Sequence, residues 1–158
     1  MADSILTTAE RTFLAQLDQR GVRFMVVGMS GALIQGARGA TEDIDLWFED
    51  VTDSRIGEAA LAAGGIWVSG SFGMSPPRLG GEALSERFDV VTHMSGLGDF
   101  ASEYASVRFE TVDGVKIPLL PLRRIVDSKR AAARVKDQAI LHALEDALAL
   151  IDANESAG

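Results

Sequence analysis

No cysteine occurs anywhere in the 158 residues, so neither a disulfide nor a thiolate metal site can be built from this chain. Such a composition fits a reducing compartment. Histidine is nearly as scarce. His93 and His142 stand alone, without a second ligand at metal spacing, and read as surface or packing residues. No apolar run approaches the ~20 residues of a membrane span, and the N-terminus shows neither the basic nor the apolar region of a secretory signal. A soluble cytoplasmic protein is expected. Positive charge is short as well: 15 Lys+Arg face 23 Asp+Glu, for a formal net charge of −8. That balance opposes general adhesion to nucleic acid or to an anionic membrane.

What is present suits one compact domain over residues 1–152, followed by a loose tail over 153–158. A hydrophobic content of 47% is enough to bury a core. Charge is unevenly spread. Glu42 to Glu58 holds seven acidic residues and one basic, whereas Arg123 to Lys136 holds six basic and one acidic. A fold that joins the two segments makes a cleft with both signs.

Helices and strands alternate. Thr7 and Glu10 predict a capping box for a helix carrying Phe13, Leu14 and Leu17, stopped at Gly21. An apolar strand over Val22 to Val27 is followed by Gly28 and a short helix that ends near Gly36. Asp43 to Phe48 reads as the next strand, and Asp53 caps a helix running to Gly64-Gly65. Gly64 to Glu82, with six glycines and two prolines, predicts strand fragments joined by loops. Strands are expected over Phe88 to Thr92, Val107 to Val112 and Val115 to Leu119, the last two turning at Asp113-Gly114. Helices over Leu122 to Ala133 and Val135 to Ile151 complete the chain.

The stretch "FMVVGMSGALIQGARGATEDIDLWFED" sets Asp43 and Asp45 around Ile44. On a strand, residues i and i+2 share one face at ~6.5 to 7 Å. Two carboxylates so placed can hold a hard divalent cation such as Mg²⁺ or Mn²⁺, or they can simply form the wet side of a half-exposed strand. The turn before them, with Gly28, Ser30 and Gly31, can offer backbone N–H groups and a hydroxyl to a phosphate. Glycine there can equally serve close helix-strand packing. Asp89, in "ERFDVVTHM", opens an apolar strand that can pair beside the Asp43 strand, as a third carboxylate or as a solvated strand end. In "DSKRAAARVKD", Lys129 with Lys136 and Arg130 with Arg134 gather on neighbouring helix faces, available to phosphate or to water. Trp47, Met25, Met29, Met74 and Met94 read as core packing.

The order strand, glycine turn with helix, Asp-x-Asp strand, then a strand with a single Asp resembles the nucleotidyltransferase superfamily of the DNA polymerase beta type. "VVGMSGALIQGARGATEDIDLWF", "RFDVVTHMSGLGDF" and "IPLLPLRRIVDSKRAAARVKDQAILHALE" resemble its small prokaryotic members related to abortive-infection and toxin-antitoxin nucleotidyltransferases. The resemblance covers Val22 to Leu148. It implies an α/β (α+β) fold in which helices flank a mixed sheet and C-terminal helices follow. It further implies Asp43, Asp45 and Asp89 as metal ligands and catalytic carboxylates, with Asp89 as base. Gly28 and Ser30 become the phosphate-side turn, and Lys129 with Arg130 the triphosphate contacts. The implied activity is Mg²⁺-dependent transfer of a nucleoside monophosphate from an NTP, such as ATP, to a hydroxyl of an RNA end, a protein or a metabolite. A toxin or phage-defence setting with an antitoxin partner belongs to the same picture. Two positions depart from the pattern: Met29 follows Gly28, and Gly39 stands where an arginine is usual. These leave a nucleotide-binding or protein-interaction module without catalysis as the alternative.

Overall fold

The computed structural model describes residues 5–70, 76–132 and 135–157. Along the chain run α1 (Thr8–Gln19), β1 (Phe24–Val27), α2 (Gly28–Ile34), β2 (Ile44–Phe48), α3 (Ser54–Ala62), β3 (Ile66–Val68) and β4 (Arg78–Gly80). They are followed by α4 (Glu82–Ser85), β5 (Phe88–Val91), α5 (Phe100–Tyr104), β6 (Arg108–Val112), β7 (Val115–Leu119), α6 (Leu122–Ala132) and α7 (Val135–Ala157). Five strands form a mixed sheet in the order β5-β2-β1-β7-β6, as the α/β reading expects. β1 is antiparallel to β2 and parallel to β7, β2 is parallel to β5, and β6-β7 is the hairpin expected at Asp113-Gly114.

All four residues of β1 are buried, because helices cover both faces of the sheet. Alternation then sorts the side chains. Phe24 and Val26, with Ile44, Leu46 and Phe48, pack against Phe13, Leu14 and Leu17 of α1 and Ile56 of α3. Met25 and Val27, with Trp47, pack against Phe100 of α5, Ile125 and Val126 of α6 and Leu144 of α7. Trp47 meets Phe100 edge-on at 5.5 Å, so it fills the core as expected.

Local signals carry several boundaries. The Thr7 and Glu10 capping box forms, and Gly21, at φ 72, closes α1 with Val22 N–H donating to Leu17 O at 3.0 Å. Glu10 is also buried beneath Arg87, whose guanidinium donates to both carboxylate oxygens. That pair ties α1 to the start of β5. Gln35 plays a similar part between α2, β7 and α6: its amide donates to Leu120 O at 2.9 Å, and its carbonyl accepts from Leu122 N–H at 2.9 Å.

The strand fragments expected after Gly64 form, and they pair with each other as β3-β4. Other expectations need correction. Helices α4 and α5 are additional to the sequence reading. Helix α7 runs beyond Ile151 to Ala157, and its end is held by ion pairs of Asp152 with Arg123 and Glu155 with Arg108, each at 2.8 Å. Met74, Ala133 and Arg134 lie outside the described residues.

Candidate active site

Asp45 occupies the β2 face shared with Trp47, towards α6. Its Cα partners in the sheet are Val27 on one side and Asp89 on the other. Residues paired across adjacent strands point the same way, so the two carboxylates stand side by side where β1 gives way to α2. Pairing of the Asp89 strand beside the Asp-x-Asp strand is therefore as the sequence suggests. Ile44 N–H donates to Arg87 O at 2.7 Å, which pins the start of β2 to the start of β5.

Gly28 takes φ +62, and a Cβ built there would lie 2.4 Å from Asp45 Oδ2. Glycine both adopts a backbone conformation that other residues rarely take and leaves the space that the carboxylate fills. Gly31 serves packing instead, since its Cβ would meet Val26 O at 2.8 Å and Ile125 Cδ1 at 3.2 Å. Both glycines therefore allow close approach, Gly28 of the Asp45 carboxylate and Gly31 of the Val26 backbone and Ile125.

Above the sheet lies a cleft of about 210 Å³, lined by Val27, Gly28 and Asp45, by His93, Met94 and Ser95 after β5, and by Ile125, Ser128 and Lys129 of α6. Burial, then the negative charges of Asp89 and Asp43, push the Asp45 carboxyl up to about 6, while Lys129 acts in the opposite direction. The fold thus brings Asp45 of the acidic segment and Lys129 of the basic one to a single cleft.

The other expected residues are placed as follows. Asp43 is exposed and precedes β2, in a turn where its N–H donates to Thr41 Oγ1 at 3.2 Å. It lines a cavity on the other sheet face with Val26 and Ile44, although its charge reaches Asp45. The i, i+2 rule holds only within an extended strand, and β2 begins at Ile44. Ser30 is buried and outside the cleft. Its hydroxyl donates to Val27 O at 2.9 Å and accepts from Asp45 N–H at 3.0 Å. Arg130 pairs with Glu145 of α7 at 3.0 Å and with Asp127 at 3.9 Å, away from the cleft that Lys129 lines.

His93 and Met94, read from the sequence as surface or packing residues, line the cleft, as do Ser95 and Ser128, which the sequence did not single out. The loop that follows β5 is fixed by buried Glu103, which accepts from Arg124 at 2.8 and 2.9 Å and from Gly98 N–H at 2.9 Å. The Arg124 bonds hold the Glu103 carboxyl below the usual carboxylate range, against its burial. Glu103 and Arg124 are 21 positions apart, so no helical or strand period links them. The one local signal is Asp99, which caps α5 by accepting from Ser102 N–H at 2.9 Å.

Among the described residues, no group of three or more His, Cys, Asp or Glu is placed to hold a metal ion. The donor chemistry of Asp45 and Asp89 nonetheless suits a hard divalent cation. Both offer carboxylate oxygens, and a cation would offset the burial and the like charges that raise Asp45. Water and phosphate oxygens would have to complete its shell.

Neither a family model nor a curated protein matches the chain. Solved structures share its fold. ANT(2″)-Ia in complex with adenylyl-2″-tobramycin is 15% identical with a TM-score of 0.56, covering 91% of this chain and 88% of that one. The solution structure of the antibiotic-resistance factor ANT(2″)-Ia gives 15% and 0.53, over 95% and 92% of the two chains. An antigenic nucleotidyltransferase-like protein from Paracoccidioides brasiliensis gives 17% and 0.51, over 92% and 78%. The protein therefore has the nucleotidyltransferase fold, as the resemblance read from its motifs implies.

Proposed function

We propose that the protein transfers a nucleoside monophosphate from an NTP to an acceptor hydroxyl and releases pyrophosphate. The observation that carries this reading is the pairing of Asp45 with Asp89 beside the Gly28 turn, at a cleft that Asp45 and Lys129 both line. Asp89 accepts the proton of the acceptor hydroxyl as its oxygen bonds to the α-phosphorus. The bond from that phosphorus to the bridging oxygen of pyrophosphate breaks, and the Lys129 ammonium offsets the charge that collects on the leaving group. Asp45 and Asp89 would hold Mg²⁺ or Mn²⁺, with Asp43 as the third carboxylate of the sequence pattern. When bound, that ion supplies neutralising charge to the phosphates.

A small hydroxylated acceptor is favoured over an RNA end. The structural neighbour carries an adenylylated small molecule. Next to the cleft, and sharing His93 with it, lies an open basin of about 620 Å³ lined by Trp47, Glu49, Asp50, Asp99 and Phe100 and by no lysine or arginine among the described residues. Its charge would repel a nucleic-acid backbone. The same feature leaves an antitoxin partner without specific support. The second reading, a nucleotide-binding module without catalysis, starts from Asp43, which stands apart from the Asp45–Asp89 pair and lines a cavity on the other sheet face. Incubation with labelled NTPs, Mg²⁺ and either cell lysate or a panel of hydroxylated small molecules separates the two. Transfer of label to a nuclease-resistant small product is expected, and no labelled product of any size would leave the binding module.

Lys129 and Arg130 give a sharper contrast. Lys129→Ala should weaken NTP binding modestly and lower transfer on the order of 10- to 100-fold, because the ammonium acts mainly on charge that develops during reaction. Arg130→Ala breaks an exposed pair with Glu145, costs at most about 1 kcal/mol of stability and leaves transfer within about twofold. Affinities and rates measured side by side check this, and a larger effect at Arg130 would reverse the assignment of the helix face.

A further inference from the structure

We infer that Ser30 is a positioning residue for Asp45 rather than a phosphate ligand. The inference rests on the transferase reading for its catalytic consequence, while its structural basis is independent of that reading.

β1 ends at Val27, the partner of Asp45 in the ladder, and the chain turns at once into α2. No further β1 residue can pair with the start of β2. The N–H of Ile44 already points to β5, where it donates to Arg87 O, so alternation turns the Asp45 N–H towards β1. There it meets Ser30, whose Oγ accepts from Asp45 N–H at 3.0 Å and donates its proton to Val27 O at 2.9 Å. The hydroxyl thus bridges the last pair of the ladder. Ser30 is 6% exposed, at the edge of the cavity that Asp43 lines on the other sheet face, and a buried amide left without a partner is costly.

The bridge fixes the Asp45 main chain within the same few residues that shape the site. Asp45 Oδ2 lies against Gly28, at the spot a Cβ would fill 2.4 Å away. Main chain and carboxylate are therefore held from one turn, the first by Ser30 and the second by the bare backbone of Gly28. A shift of the strand start would carry the carboxylate away from Asp89, its neighbour in register. With its one proton donated to Val27 O and the hydroxyl outside the cleft, Ser30 has no donor left for a phosphate oxygen.

The test compares wild type with Ser30→Ala and Ser30→Thr. Hydrogen exchange of the Asp45 amide is followed by NMR in metal-free protein, and transfer kinetics are measured with Mg²⁺ and NTP. Exchange should speed up at least about 10-fold in the alanine variant. Its kcat should fall on the order of 10- to 100-fold, as expected when a reacting group is misplaced by a fraction of an ångström, with the KM for NTP within about threefold of wild type. Threonine, which keeps the hydroxyl, should restore both. Ser30→Cys, of similar size but a weak donor, stands in if the alanine variant does not fold. Unchanged Asp45 exchange overturns the inference, and so does a raised NTP KM with kcat preserved, the signature of a phosphate ligand. A wild type that transfers nothing sinks the transferase reading, and amide exchange then decides by itself whether Ser30 holds Asp45.

Discussion

Asp45→Asn is expected to abolish nucleotidyl transfer while making the metal-free protein more stable at neutral pH. The two effects have one origin. Asp45 is the carboxylate on which burial and the charges of Asp89 and Asp43 converge, and its carboxyl is pushed up to about 6. A group with a raised pKa in the folded state holds its proton more tightly there than in the unfolded chain. Its contribution to stability is complete below pH ~4, the ordinary aspartate range, and is lost as pH rises through about 6. At pH 7 and above the full penalty applies, on the order of 1 to 2 kcal/mol once the partial exposure of the side chain is allowed for.

Asparagine keeps the shape and carries no charge, so it escapes this penalty. In the presence of a chelator its stability advantage should therefore be absent near pH 4, grow between pH ~4 and ~6, and level off above. Mg²⁺ with NTP should raise the melting temperature of wild type more than either alone, because the cation removes the repulsion and the nucleotide completes its shell. The asparagine variant should show little of that gain. Transfer should fall by a factor on the order of 10³ or more, as the ligand that holds charge at the phosphates is gone. Thermal denaturation at several pH values, with and without Mg²⁺ and NTP, checks the stability half. An asparagine variant less stable than wild type at pH 8 would show that Asp45 is held by favourable bonds and not crowded by charge.

Strand alternation made most of this legible from sequence. The apolar positions Ile44, Leu46 and Phe48 leave Asp45 and Trp47 the opposite face, and β2 obeys that pattern residue by residue. The carboxylate strands are both short apolar segments with the acid in the second position, and their parallel register sets the two acids side by side despite their like charge. Less legible was whatever depends on where an element starts or how a helix is turned. Asp43 shares the parity of Asp45 but falls outside the strand, since Thr41 closes a turn on it. Ser30 follows a glycine turn, and sequence alone leaves its hydroxyl free to face a ligand or the ladder. The end of β1 at Val27 settles that it faces the ladder. Arg130 and Lys129 are adjacent in a basic run, and the fold separates them by turning Arg130 to Glu145 on α7 and Lys129 to the cleft. Glu103 with Arg124 is a pairing of distant segments that no local period encodes.

Asp89 differs from Asp45 in the one respect that matters for its role, exposure. It lies on β5, one of the two outer strands of the sheet, and faces water, whereas Asp45 is partly enclosed by Gly28 and α6. On the transferase proposed above, the acceptor would come from solvent to an NTP seated in the cleft. The outer carboxylate would then meet the acceptor, and the inner one would face the phosphates. Asp89→Asn is expected to keep NTP affinity within a fewfold of wild type while lowering the rate of transfer by 10² to 10⁴, roughly the range for a lost general base. It should also lower the Asp45 carboxyl from its raised position, because the Asp89 charge is one of the causes that hold it there. Equilibrium NTP binding and single-turnover transfer, measured on the same preparation, distinguish the outcomes. Affinity and rate lost together would make Asp89 a ligand on the phosphate side. Unchanged turnover would take it out of the mechanism and leave Asp45 as the only carboxylate of the pair with a chemical part.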